Sequence, residues 1–312
     1  MIQIDLITGF LGAGKTTFIK EYAKYLMDQG LNIGILENDF GAVNVDALLL
    51  QDILGDQCTL EMVAGGCDAD CHRRRFKTKL IAMGMCGYDR VLVEPSGIFD
   101  MDEFFDTIHE EPLDRWYTIG NVITIIDAGI DRNLSKASRY LLASQSAQAG
   151  TILYSHASEV TKEQLNATKQ YVEEVQKELN CQQHMAKNII QKAFSELEEA
   201  DYQAILKSGY QIADYKKLWF DDQETYDSVY FMNKDFTKEH LIKASEKMLK
   251  DENCGNVFRI KGFQKLEDGN WISLNITKQK MNIEPVTTGQ NVVIVIGEGL
   301  DKERIEQYLE ES

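Results

Sequence analysis

Proline is almost absent. Pro95, Pro112 and Pro285 are all that 312 residues hold, and the 22 glycines are spread along the chain, which excludes collagenous and linker-dominated architectures. Cysteine is sparse as well. Six thiols, Cys58, Cys67, Cys71, Cys86, Cys181 and Cys254, are too few to staple a chain of this length, and no secretory leader precedes them, so a cytoplasmic protein is expected. No segment offers eighteen continuous apolar residues, which excludes a membrane-spanning helix. Positive charge is in deficit: 33 Lys and Arg against 50 Asp and Glu leave a formal charge of −17. Such a field repels nucleic acid and anionic membrane surfaces and attracts cations. The run His72-Arg73-Arg74-Arg75 is the strong local exception. With 44% hydrophobic residues, the chain can build one large core or two modest ones.

What is present is an alternation of short apolar runs with helical patterns. Strands are predicted at Ile2–Ile7, Asn32–Leu36, Arg90–Glu94, Val122–Ile126 and Thr151–Tyr154. A helix is predicted over Lys15–Asp28, where Phe18, Ile19, Tyr22 and Leu26 share one face and Gly30 supplies the stop. Leu48–Leu54 reads as a short helix, and a longer helix begins near Cys71 and runs through Phe76 to Met85. This alternation predicts an α/β fold with a mostly parallel sheet covered by helices. From Thr161 to about Lys207 the texture is almost wholly helical. After about residue 215 it changes to strands at 228–231, 257–261, 271–276 and 292–296, with helices at 238–249 and 302–309. Two domains are therefore expected: a nucleotide-binding domain over 1–215 with a helical extension, and a smaller α+β domain over 216–312.

Gly9-Phe10-Leu11-Gly12-Ala13-Gly14-Lys15-Thr16 has the P-loop spacing and stands between a strand and a helix. Glycines let the backbone approach phosphates, and the N–H groups at the start of the next helix stabilise the negative oxygens. Lys15 is expected to reach the β- and γ-phosphates, Thr16 to ligate magnesium and Thr17 to contact the α-phosphate. Glu94 ends an apolar strand and opens Glu94-Pro95-Ser96-Gly97, so its carboxylate can order magnesium-bound water while the Gly97 N–H approaches the γ-phosphate. Asp39 is a candidate for ordering the attacking water or a metal-bound water, and Asp46 for helping to fix the switch loop; a loop cap is the alternative role for either. Asp127, also at a strand end, fits a ligand role or a structural turn.

These residues carry a resemblance. The chain resembles the CobW-like P-loop GTPases, relatives of the nickel-delivery GTPases for hydrogenase and urease. The block Thr8–Thr17 matches the family's phosphate loop, Asn38-Asp39-Phe40-Gly41 with Val45-Asp46 looks like its switch I segment, and Glu94-Pro95-Ser96-Gly97 looks like its Glu-Thr-Thr-Gly segment. Phe258–Phe263, Trp271 and Val293–Gly297 resemble its small second domain. Two motifs depart from the family. Its Asn-Lys-x-Asp base-recognition motif is replaced by Ser155-His156-Ala157-Ser158, with Glu159 adjacent. Loss of the aspartate removes a charged bidentate acceptor, costing about 1.5–3 kcal/mol of guanine preference; the resemblance implies GTP, with ATP as the competitor. Its Gly-Cys-x-Cys-Cys metal motif is replaced by Gly66-Cys67-Asp68-Ala69-Asp70-Cys71-His72. Cys67, Cys71 and His72, with Asp68 or Asp70 to complete a tetrahedral set, still offer donors that suit zinc or cobalt; two ordinary cysteines in an acidic turn are the alternative.

The resemblance implies an NTPase that couples magnesium-dependent nucleotide binding and slow hydrolysis to delivery of a metal or metallocofactor. Its partner would be a client metalloenzyme or a cofactor-synthesis protein, cobalamin synthesis being one such setting, and a monomer or a homodimer would serve. The competing expectations are a nucleotide-regulated module that docks on a partner enzyme without carrying metal, and a P-loop small-molecule kinase.

Overall fold

The computed structural model describes residues 1–10, 12–39, 49–64, 69–95, 101–181, 186–213, 226–278, 280–287 and 289–310. The chain divides into two compact units, Met1–Leu218 and Trp219–Ser312.

The first unit is built on a seven-stranded sheet. Its strands are β1 (Ile2–Gly9), β2 (Ile33–Asp39), β3 (Cys58–Ala64), β4 (Arg90–Pro95), β5 (Tyr117–Asp127), β6 (Thr151–Ser155) and β7 (Asn188–Ile190), in the spatial order β3-β2-β4-β1-β5-β6-β7. Every pairing is parallel, so the carboxyl ends of all seven strands lie along one edge. Its helices are α1 (Lys15–Asp28), α2 (Ala69–Gly84), α3 (Met101–His109), α4 (Leu113–Trp116), α5 (Lys136–Ala147), α6 (Lys162–Glu178) and α7 (Glu199–Leu206). Two buried clusters cover the sheet. Phe18, Tyr22 and Leu26 of α1 pack with Ile7, Ile35 and Ile123; Phe76, Leu80 and Met83 of α2 and Phe104 of α3 pack with Ile4, Leu6 and Val93. A buried parallel sheet needs this cover on both faces.

Asp5 interrupts the apolar run of β1 for a reason the packing supplies. It is fully buried and accepts from both Arg90 (2.6 and 2.7 Å) and Tyr22 (2.9 Å). It also accepts from the backbone N–H of Asn121 at 2.8 Å, where the β1–β5 register shifts between Ile4 and Leu6. Burial and the Asp5 carboxylate push the Tyr22 hydroxyl well above the usual tyrosine range, so this hydroxyl stays a donor.

The second unit is an antiparallel sheet of β8 (Tyr226–Met232), β9 (Asn256–Lys265), β10 (Trp271–Thr277), β11 (Met281–Val286) and β12 (Val292–Glu298), ordered β11-β10-β9-β12-β8. Helices α8 (Lys238–Met248) and α9 (Lys302–Glu310) bury Leu241, Met248, Ile305 and Leu309 against Ile260, Leu274 and Val295.

The expected architecture, a helix-covered parallel sheet with a smaller α+β unit, is observed. The almost wholly helical texture of 161–207 contains α6 and α7 and is interrupted by β7, which pairs with β6. Three residues with two adjacent isoleucines leave no alternation to detect. The short helix over 48–54 is a single 3₁₀ turn at Gln51–Ile53 preceded by helical Leu49 and Leu50. No helix among the described residues is long and apolar enough to cross a membrane.

Candidate functional site

The phosphate loop leaves β1 at Gly9, whose φ of 143° lies outside the range of L side chains. A Cβ there would fall 2.1 Å from the backbone oxygen of Ile125 on the paired strand β5. The loop turns on the Ala13 N–H, which donates to the Phe10 carbonyl at 3.1 Å, and enters α1 through Gly14 in the left-handed region, φ 93°. The N-cap Gly14 supplies no side-chain cap to α1, and the first turn carries no acid. A helix start of this kind, with a glycine at its N-cap, is a setting in which backbone N–H groups receive an anion.

Lys15 and Thr16 open α1, and both are buried. The Lys15 Nζ donates to the Gly9 carbonyl at 3.3 Å and lies 4.0 Å from Glu94 Oε1. The Thr16 hydroxyl is 3.1 and 3.0 Å from the two Glu94 oxygens. Glu94 reaches them because β4 is the direct neighbour of β1. The structure thus joins the adjacent Lys15 and Thr16 to Glu94, which lies 78 residues beyond Thr16. Asp39 ends β2, next to β4. Ser96, Gly97 and the switch residues Phe40 to Asp46 lie outside the described residues.

The turns after β5 and β6 emerge on the other side of the phosphate loop. Asp127 ends β5; its Oδ1 accepts from the Gly129 N–H at 2.8 Å and its Oδ2 stands 3.2 Å from His156 Nδ1. Ser155 Oγ lies 3.4 Å from the same nitrogen. His156 adopts φ 54°, a conformation histidine tolerates better than most residues, and the Glu159 N–H closes the turn onto its carbonyl at 2.9 Å. Ser158 is exposed. The turn role of Asp127 is thus realised together with a contact to the imidazole.

Of the sulfur-containing turn, Cys67 and Asp68 lie outside the described residues, and Asp70 is in the first turn of α2. Cys71 is half-buried and His72 buried. His72 is in helical phase with Phe76, Leu80 and Met83 on the core face of α2, and the 100° step per residue turns Cys71 off that face. Among the described residues, no group of three or more His, Cys, Asp or Glu is placed to hold a metal ion.

Phe194, after β7, was not visible as a site residue in the sequence. Its ring lies against Gly14, with Cε2 3.2 Å from where a Gly14 Cβ would stand.

A glycine-constrained loop, a helix start with a glycine N-cap and a buried Lys–Thr–Glu cluster at the carboxyl edge of a parallel sheet define a P-loop nucleotide-binding protein. The family described as CobW/HypB/UreG, nucleotide-binding domain, matches residues 3–185, and the Cobalamin synthesis protein cobW C-terminal domain matches residues 228–312. The chain belongs to the CobW/HypB/UreG family. Zinc chaperone YjiA of Escherichia coli (strain K12) is 30% identical over 135 residues, 41% of this chain and 41% of that one. Zinc chaperone YeiR of the same strain is 28% identical over 172 residues, 55% of this chain and 51% of its own length. The matched part of the chain thus spans about half the length of these relatives or less. The Zn(II)-bound YjiA GTPase from E. coli aligns over 98% of this chain and 97% of that one, with 18% identity and a TM-score of 0.41.

Proposed function

We propose that this chain binds a nucleoside triphosphate, GTP in preference to ATP by a small margin, and hydrolyses it slowly to drive delivery of a metal ion or metallocofactor to a client protein. The observation that carries the reading is the buried contact of Thr16 and Lys15 with Glu94 beside a helix start with a glycine N-cap. A hydroxyl and a carboxylate brought together are hard oxygen donors, and they suit magnesium. Thr16 would hold that ion and Glu94 its water shell; bound there, magnesium neutralises charge on the β- and γ-phosphates. Lys15 supplies the second positive charge, while the N–H groups around Gly12, Ala13 and Gly14, with Thr17, cradle the remaining oxygens. Asp39 and Gly97 are assigned to the water and to the γ-phosphate. Nucleotide binding belongs to residues 1–215, and 216–312 form the smaller domain.

For the base, Ser155, His156 and Ser158 replace the carboxylate reader with two hydroxyls and an imidazole, so discrimination between purines is weak. The cargo ion, zinc or cobalt, is assigned to Cys67 and Cys71 with Asp70 and His72, and the names of the relatives as zinc chaperones support that class of cargo. The core-facing position of His72 favours a water or backbone donor in its place. The same position favours, as the second reading, a nucleotide-regulated partner-binding module that carries no metal.

Zinc titration against a chromophoric chelator separates the two. Cys67→Ala should lose the site, whereas Cys181→Ala and Cys254→Ala, both buried thiols, should keep it. Because thiolates are the ligands, zinc binding should release protons and strengthen as pH rises through roughly 6 to 8. Zinc held by Cys67→Ala as tightly as by wild type would move the account to the partner-binding reading.

A further inference from the structure

The segment after β7 reaches the phosphate loop through one aromatic ring. A Cβ on Gly14 would lie 3.2 Å from Cε2 and 3.7 Å from Cζ of Phe194, so the ring occupies the space beside the last glycine of the loop. The same ring meets Phe18 of α1 edge-on, with centroids 5.6 Å apart and planes at 62°. It packs against the buried cluster that contains Ala13, Phe18 and Tyr22. Phe194 therefore touches the turn that aims the N–H groups and the first turn of the helix that carries Lys15 and Thr16.

The segment that carries Phe194 is firmly anchored by other contacts. Tyr202 of α7 stacks on Tyr25 at 4.2 Å and lies parallel to Tyr22 at 6.3 Å. The Tyr25 hydroxyl donates to Glu199 at 2.8 Å. Lys192, the cation of this segment nearest in sequence to Phe194, is held by Asp201 at 2.8 Å and by Glu198 at 3.7 Å. The segment thus presents to the phosphate loop a fixed apolar ring.

A loop with glycines at 9, 12 and 14 has much backbone freedom to lose when phosphate orders it. Its affinity rises when that freedom is already restricted in the free protein. We propose that Phe194 is a positioning residue of the phosphate site: its ring buttresses Gly14 in the left-handed conformation and holds the loop's N–H groups in the direction that phosphate needs. The inference rests on the phosphate-site reading given above. It applies to the phosphates alone and is indifferent to the base.

The test is calorimetry with Mg-GTP and with magnesium inorganic triphosphate on wild type, Phe194→Ala, Phe194→Leu and Tyr202→Leu. Phe194→Ala should weaken both ligands by the same factor, about tenfold, and Phe194→Leu should recover most of it by refilling the space beside Gly14. Tyr202→Leu removes one anchor of the segment but leaves the ring beside Gly14; it should lower the thermal midpoint and weaken both ligands by clearly less than Phe194→Ala does. Three results would overturn the inference: Phe194→Ala binding both ligands as wild type does, Phe194→Ala losing GTP alone, or Tyr202→Leu losing as much affinity as Phe194→Ala. A wild-type chain that binds neither ligand overturns the phosphate-site reading and this inference with it; the other outcomes leave that reading standing.

Discussion

Two stretches of the carboxyl edge of the parallel sheet, on either side of the β1–β5 pairing, are built to different tolerances. Where β1 meets β4, Lys15, Thr16 and Glu94 are only 7%, 6% and 9% exposed, and the loop between them is shaped by backbone that admits no side chain at Gly9. Where β5 meets β6, the side chains of Asp127 and His156 are 32% and 38% exposed, and Ser158 stands in solvent. Phosphate recognition, on the proposed reading, rests on backbone N–H groups and buried packing, so one wrong residue breaks it. Base recognition, on the proposed reading, rests on side chains of an open turn, where a replacement shifts preference and leaves the fold alone.

The largest effect should come from Gly9→Ala. The new methyl meets the Ile125 carbonyl on the paired strand at a φ that L residues avoid, and overpacking together with backbone strain should cost about 3 kcal/mol of stability. Urea denaturation reads this directly. A midpoint equal to that of wild type would show that the β1–β5 junction yields, which the comparison denies.

Lys15→Ala should come next. It removes the charge beside the phosphates and should weaken Mg-GTP and Mg-ATP at least about 100-fold with an unchanged far-UV spectrum. Equal affinities in mutant and wild type, measured calorimetrically, would remove the phosphate end from the account.

Ser158→Asp should have the smallest effect and sharpen the contrast most. Restoring a charged acceptor should raise the GTP-over-ATP preference about tenfold without moving the thermal midpoint. A competition assay in which wild type already prefers GTP strongly, and the substitution adds nothing, would show that the open turn is not the base reader.

The same contrast governs how much could be read in advance. Gly9, Gly12, Gly14, Lys15 and Thr16 were legible because backbone chemistry leaves a fixed spacing of residue types, and Glu94 because an apolar strand ending in a carboxylate beside a P-loop has few other uses. Strands β1, β2, β4, β5 and β6 showed as compact apolar runs. β3 escaped because Cys58–Ala64 mixes polar and apolar residues, as suits the edge of a sheet. β7 escaped because three residues carry no period. The core-facing phase of His72 could have been read from Phe76, Leu80 and Met83, which follow it at helical spacing. Phe194 could not, since no local pattern announces which distant residue will fill the space beside Gly14.

The measurement that bears most directly on the central claim is calorimetric titration of Mg-GTP and Mg-ATP into the same protein, first zinc-free and then zinc-loaded. If nucleotide binding drives metal delivery, the two sites share a coupling free energy, and zinc should change nucleotide affinity by about 5- to 150-fold, with the reciprocal change in zinc affinity. Nucleotide affinities identical in the two states would contradict the account.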